Sequence, residues 1–343
     1  MSTRQRPSFY SHLHPPTLPA REARFRYTFG LGGISIGLLI ILGITGSLEL
    51  FYYIPSLEQA NSSLQLINLF VPYGQFVRSL HFWSAQALVV TTVLHLLRVA
   101  LTGAYKPPRS FNWLLGLILL VLVLLFDFTG YALRWDEDIA WALMVATNLL
   151  KTIPGIGAGL YGLVVGSVEI GRATIVRLYG WHVFGLSIPV LFFVGWHVFR
   201  VRRDGGISRM ISSPKGSSTI PRSELVQREV AGALVAGILL LIITLLFPPH
   251  LGASANFENL PGEAVAPWFF IWVQQLLRLG KPFQMGVLIP VLLLVILGLL
   301  PYALDRNPEG VARWFNREGR LAQLTVLVIL ALVLAFTLQG VLQ

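Results

Sequence analysis

Polar and apolar positions along this chain do not alternate with a strand or surface-helix period. They segregate into long apolar runs divided by short polar connections. Seven runs, at about 29–52, 79–101, 112–133, 179–199, 230–248, 285–304 and 321–341, approach or exceed the roughly 20 residues a helix needs to cross a bilayer. Turn punctuation such as Lys106-Pro107-Pro108-Arg109 and Pro248-Pro249 flanks them. The pattern predicts an all-α integral membrane fold with seven transmembrane helices, spans A to G. Two connections are long: C–D, 134–178, reads as two short helices around Ile153-Pro154-Gly155, and E–F, 249–284, carries an aromatic amphipathic stretch from Trp268 to Leu279. Long ordered loops in compact proteins usually serve function. The Ser-, Gly- and Pro-rich segment Ser208–Arg222 reads as a linker, dividing residues 1–207, a four-helix domain, from residues 229–343, a three-helix domain, with 208–228 between them. No internal repeat is evident.

Composition sharpens this picture. Charged residues make up 12% of the 343, half of the roughly 25% usual in soluble domains, and mean hydropathy is +0.68. So little charge cannot cover a soluble fold of this length. The net charge of +10 is unevenly placed: 19 of the 26 Lys and Arg fall on the side holding residues 1–27 and loops B–C, D–E and F–G. That asymmetry obeys the positive-inside rule, placing the N-terminus in the cytoplasm and the chain in a plasma membrane. The basic excess is then a topology signal, and no nucleic acid partner is expected. Residues 1–27 are polar and basic, without the apolar run of a secretory signal. The absence of cysteine excludes iron–sulfur ligation, thiolate zinc sites and thioether-linked cofactors on this chain.

Four of the seven histidines lie inside spans: His81 and His95 in B, His182 and His197 in D. Ionisable residues within a membrane point to function. The 14 residues between the first pair span about 21 Å of helix with a rotation of only ~40°, and the 15 of the second give ~22 Å and ~60°. Two histidines that far apart cannot share a metal. Because B and D run the same way, His81 meets His182 near the outer side and His95 meets His197 near the inner side. Two sites of two imidazoles each suit iron in a porphyrin, which supplies the equatorial ligands itself. Gly32 and Gly46 in A, and Gly116 and Gly130 in C, repeat the 14-residue spacing and let a flat ring approach the backbone, although small residues also serve plain helix packing. Arg78 and Arg177 precede the outer histidines, where they can pair with haem carboxylates; Arg98 and Trp113 occupy the inner level. The same four residues also suit interfacial anchors. Two haems ~20 Å apart make an electron path across most of the ~30 Å hydrocarbon core.

Four motifs, Arg78-Ser79-Leu80-His81, His95-Leu96-Leu97-Arg98, Gly103-Ala104-Tyr105-Lys106-Pro107-Pro108-Arg109 and Gly130-Tyr131-Ala132-Leu133-Arg134-Trp135, together resemble the cytochrome b/b6 family. The likeness runs from about residue 25 through Gly205-Gly206-Ile207-Ser208 and continues more weakly to the C-terminus. Span D is similar to the b6 branch, and the last three spans to that branch's separate subunit IV, here fused. The resemblance implies two bis-histidine b haems, an outer low-potential one (His81, His182) and an inner high-potential one (His95, His197). It further implies quinol oxidation in an outer pocket involving Tyr131, the C–D helices from Ile139 to Thr152, and Pro267, Trp268 and Phe269, and quinone reduction in an inner pocket near Arg202 and Asp204. Those last two residues read equally as solvated loop charges. Implied partners are the quinone pool, a Rieske iron–sulfur protein, a c-type cytochrome and a second copy of the chain, in a proton-translocating quinol–cytochrome c or plastocyanin-like reductase of a bacterial membrane.

Three departures stand out. Gly30 occupies the position of the b6 branch's haem-attaching cysteine, so no covalent haem is expected. Ala266-Pro267-Trp268-Phe269 replaces Pro-Glu-Trp-Tyr, removing the glutamate thought to take a quinol proton. Arg134 stands where proline is usual. The proton role falls first to Asp127, with Glu263 and the Asp136-Glu137-Asp138 cluster as alternatives, unless Asp127 is a structural partner of Arg134. Two other functions fit part of the pattern: a di-haem membrane anchor without quinol bifurcation, and a transporter whose histidines relay protons.

Overall fold

In a computed structural model of the chain, residues 13–14, 16–20, 23–204, 206, 218–257 and 265–343 are described. Among the described residues, seven helices are long and apolar enough to cross a membrane. We number the helices α1 (Leu31–Glu49), α2 (Ala60–Leu69), α3 (Gly74–Leu101), α4 (Ser110–Leu133), α5 (Glu137–Lys151), α6 (Gly157–Val165), α7 (Arg172–Arg203), α8 (Arg222–Leu246), α9 (Trp268–Leu277), α10 (Phe283–Leu304) and α11 (Arg317–Leu342). The spanning helices are α1, α3, α4, α7, α8, α10 and α11. The short α2, in the connection after α1, was not anticipated: its apolar positions are interrupted by Asn61, Ser62, Ser63 and Gln65, too few and too mixed to register as a span. The two short helices expected after span C are α5 and α6. Asp136 caps α5, its carboxylate accepting from the Ile139 N–H at 3.2 Å.

Helices α1, α3, α4 and α7 form a bundle whose ends we call outer and inner after the charge asymmetry of the sequence. The C-terminal helices are stitched to it at both ends. At the inner end, Lys106 Nζ lies 3.1 Å from Asp305, with both side chains out of solvent. Tyr105 donates to the same carboxylate at 2.7 Å, and Lys106 donates to the Glu309 carbonyl at 2.6 Å. Burial and the Asp305 carboxylate both push the Tyr105 phenol up, which keeps it a donor. Removing one member of such a buried pair costs about 3–5 kcal/mol. Trp113 Nε1 donates to the Leu297 carbonyl at 2.7 Å, tying α4 to α10. At the outer end, the segment after α8 lies along Trp135–Glu137, with Ala255 N–H donating to Trp135 O at 2.9 Å and Glu137 N–H to Ala253 O at 3.0 Å. A two-stranded pairing of β1 (Thr17–Pro19) with β2 (Thr219–Pro221) joins the N-terminal segment to the start of α8.

Candidate functional site

The two histidine pairs meet across the bundle. The ring centroids of His81 and His182 are 6.5 Å apart, and those of His95 and His197 are 6.3 Å apart. Two imidazoles each bound through one nitrogen at ~2.0–2.1 Å to a shared metal would have centroids ~6.3 Å apart, allowing ~1.1 Å from nitrogen to ring centre. Among the described residues no third His, Cys, Asp or Glu joins either pair. Each pair thus offers two imidazole nitrogens at a separation that one metal atom can bridge.

Sequence spacing alone left His197 rotated from His182 by more than His95 from His81. The difference is absorbed inside α7 by a turn of π-helix, Trp181–Gly185, which contains His182. Such a turn accommodates one extra residue, so 15 residues in α7 do the work of 14 in α3. The odd spacing was the sequence signal for it.

The outer rings are oriented by hydrogen bonds that fix their tautomer. Thr45 Oγ1 donates its proton to the Ile41 carbonyl at 2.7 Å, so it accepts from His81 Nδ1–H at 2.8 Å. His182 Nδ1 faces the Phe126 carbonyl at 3.1 Å, which can only accept, with Thr129 Oγ1 also at 3.1 Å. Both rings thus carry their proton on Nδ1 and present a bare Nε2 lone pair, the form that binds a metal. Sequence reasoning missed Thr45 and Thr129; a hydroxyl one residue before each outer glycine was the available signal.

All four glycines face the histidines. A Cβ on Gly46 would stand 3.0 Å from His81 Cε1, and one on Gly130 would stand 2.9 Å from His182 Cε1. At the inner level the corresponding distances are 3.4 Å for Gly32 to His95 and 3.7 Å for Gly116 to His197. The outer pair opens on a cavity of about 360 Å³ lined also by Arg78, Gln86, Asp127 and Tyr131. The inner pair opens on one of about 270 Å³ lined also by Arg98, Arg109, Trp113, Arg202 and Glu229.

Other expected site residues are distributed unevenly. Arg177 donates to the carbonyls of Gly162 and Leu163 at 2.6 and 3.1 Å and does not line the outer cavity. Asp204 pairs with Arg200 at 3.3 Å and Arg203 at 2.8 Å, apart from the inner cavity that its neighbour Arg202 lines. Phe269 packs on Tyr131 with centroids 5.9 Å apart, and Trp268 reaches Gln86 at 2.7 Å, so the segment that follows Pro267 sits against two residues that line the outer cavity without lining it itself. Arg134 pairs with Asp136, and with Asp138 at 3.0 Å, which leaves Asp127 to other contacts. Glu263 and linker residues 208–217 lie outside the described residues.

Fold and site together define a membrane helix bundle with two facing imidazole pairs, one toward each end. The family model for cytochrome b/b6/petB matches residues 19–205, and the chain belongs to that family. A solved structure titled "Hyperthermophilic respiratory Complex III" is similar at TM-score 0.76 and 24% identity, over 91% of this chain and 89% of that chain. The shared fold therefore extends past the matched residues into the three C-terminal spans.

Proposed function

We propose that the chain carries electrons across its membrane between two bis-histidine b haems, as the membrane subunit of a quinol–cytochrome c type oxidoreductase. The carrying observation is the pair of imidazole couples, each at the separation a shared iron requires and separated from each other by about 21 Å of helix. Haem supplies one-electron chemistry when bound. The chain's part is to hold the rings in the ligating tautomer, keep water away with apolar helix faces, and place carboxylates and arginines around the cofactor edges. In this reading Arg78 on the outer side and Arg98 on the inner side receive the cofactor carboxylates. Tyr131, Pro267, Trp268 and Phe269 bound the quinol pocket; Arg202, with Asp204 nearby, marks the quinone pocket. Protons released outside and taken up inside give net translocation. A Rieske protein, a c-type cytochrome and a second copy complete the complex, in a bacterial plasma membrane with the N-terminus inside.

The test is a redox titration of the purified complex followed by haem absorbance, with a quinol-site inhibitor present or absent. Two separate one-electron b-haem waves, and inhibitor-sensitive reduction by quinol, are expected. A protein without haem absorbance overturns the reading. Two waves without inhibitor sensitivity favour a simple membrane anchor.

A further inference from the structure

We propose that Asp127 is the proton acceptor for a hydroquinone bound at the edge of the outer haem seat, beside Tyr131 and the Trp268–Phe269 segment, with Gln86 and Trp268 as its positioning residues. This rests on the quinol reading above and assigns the proton within it.

Asp127 sits on α4 inside the membrane span, buried and lining the outer cavity. It forms no ion pair among the described residues. Arg134, its possible partner by sequence, is committed to Asp136 and Asp138. Arg78 is turned to Asn68 Oδ1 and the Pro249 carbonyl, both at 3.3 Å. A lone carboxylate in such a place is costly unless it serves a purpose.

What Asp127 does have is an oriented donor. Trp268 Nε1 can only donate, so the Gln86 atom it meets at 2.7 Å is the carbonyl oxygen Oε1. The Gln86 amide is thereby fixed with its NH₂ toward Asp127, 3.3 and 3.4 Å from the two carboxylate oxygens. Gln86 supports the carboxylate without supplying an opposing charge, and its contacts leave further lone pairs free to accept. Trp268 belongs to the segment whose Phe269 packs on Tyr131. A ring entering beneath that segment comes within reach of the element that aims the acceptor.

The step is a proton transfer. The O–H bond of one hydroquinone hydroxyl breaks, an O–H bond forms on an Asp127 carboxylate oxygen, and the hydroquinone monoanion remains, a stronger reductant than the neutral molecule. Glu49 is the other carboxylate lining this cavity; one of its oxygens is buried without a hydrogen-bond partner among the described residues. It has no donor comparable to Gln86, and its involvement is an outcome of the test.

The experiment uses the full complex with both haems and the variants Asp127→Asn, Asp127→Glu and Trp268→Phe. A hydroxynaphthoquinone is added to the fully oxidised complex, where no electron donor is present to reduce it, and infrared difference spectra are read for a new protonated-carboxyl C=O band. Wild type gains the band and Asp127→Asn does not. Asp127→Glu restores a displaced band, and Trp268→Phe shifts it. Hydroquinone-driven haem reduction slows about 100-fold or more in Asp127→Asn, recovers partly in Asp127→Glu, and slows by a smaller factor in Trp268→Phe. A band that persists in Asp127→Asn, or turnover unchanged there, overturns the assignment and moves it to Glu49 or Glu263. Should Asp127→Asn lose its haems, a band unmoved in both other variants overturns it equally. A wild-type complex that neither binds the naphthoquinone nor accepts electrons from hydroquinone overturns the quinol reading itself.

Discussion

The outer and inner imidazole pairs have nearly the same separation, yet the protein holds them differently. Both outer histidines have Nδ1 bonded, to Thr45 and to the Phe126 carbonyl. On the inner side His95 Nδ1 is buried with no partner among the described residues. A bonded Nδ1–H makes imidazole a more basic ligand and favours the ferric state. Side chains around the cavities act in the same direction. The outer cavity is lined by Arg78 and Arg134 against Glu49 and Asp127, a formal balance. The inner cavity is lined by Arg98, Arg109 and Arg202 against Glu229 alone, an excess of two positive groups that favours the ferrous state. Under the di-haem proposal, identical ligand sets would thus acquire two potentials, lower outside and higher inside, from the hydrogen bonds and charges around them.

The largest test of this division is removal of a ligand. Replacing either His81 or His182 by alanine should remove the outer haem and leave the inner one, with b-haem content halved and the higher-potential wave retained. Loss of both haems from a well-folded variant, or of neither, breaks the pairing. A smaller effect separates the sites by space. An added methyl at Gly130 or Gly46 meets an outer imidazole at 2.9 or 3.0 Å, whereas at Gly116 it finds 3.7 Å. Overpacking of this kind costs about 1–3 kcal/mol, roughly 5- to 150-fold in affinity. Gly130→Ala should therefore weaken outer haem retention, measured by spectral titration during purification, while Gly116→Ala keeps the inner haem. Equal retention in the two variants would mean that the backbone relaxes and the glycines are not site-specific.

The division was only partly legible in the sequence. The seven spans were, because a membrane demands long apolar runs and nothing interrupts them. The histidine pairs were, because 14 and 15 residues are whole numbers of turns to within a fraction of one. The π turn at Trp181–Gly185 was signalled only by one surplus residue in the histidine spacing, which does not say where in the helix that residue is taken up. Thr45 and Thr129 look like ordinary small residues of a membrane helix until the ring facing them is known. Gln86 meets Asp127 across 41 positions and Trp268 across 182, and no local pattern encodes such contacts. The clamp of Lys106, Tyr105 and Asp305 is equally distant in sequence; its members read as loop residues, yet both Lys106 and Asp305 are buried.

The finest test acts on one hydrogen bond. The His182 bond ends on a backbone carbonyl and cannot be deleted by substitution, so Thr45 is the accessible handle on the outer pair. Thr45→Val keeps the side-chain shape and removes the oxygen that accepts from His81 Nδ1–H. The imidazole loses basicity and the ferric state loses stabilisation, so the outer midpoint potential should rise. A hydrogen bond worth about 0.5–1.5 kcal/mol corresponds to roughly 20–60 mV in a one-electron couple. The matched control is Ser35→Ala. Ser35 lines the inner cavity and bonds to the Leu31 carbonyl at 2.9 Å and to Thr91 at 3.0 Å, and no such bond joins it to His95, whose Nδ1 has no partner among the described residues. It should leave the inner potential in place. Both haems stay bound in both variants, which the absorbance spectrum checks before any potential is read. A rise confined to the outer wave attributes part of the potential gap to the Thr45 hydrogen bond. No rise, or equal rises in both waves, would leave the difference between the sites to the surrounding charges alone.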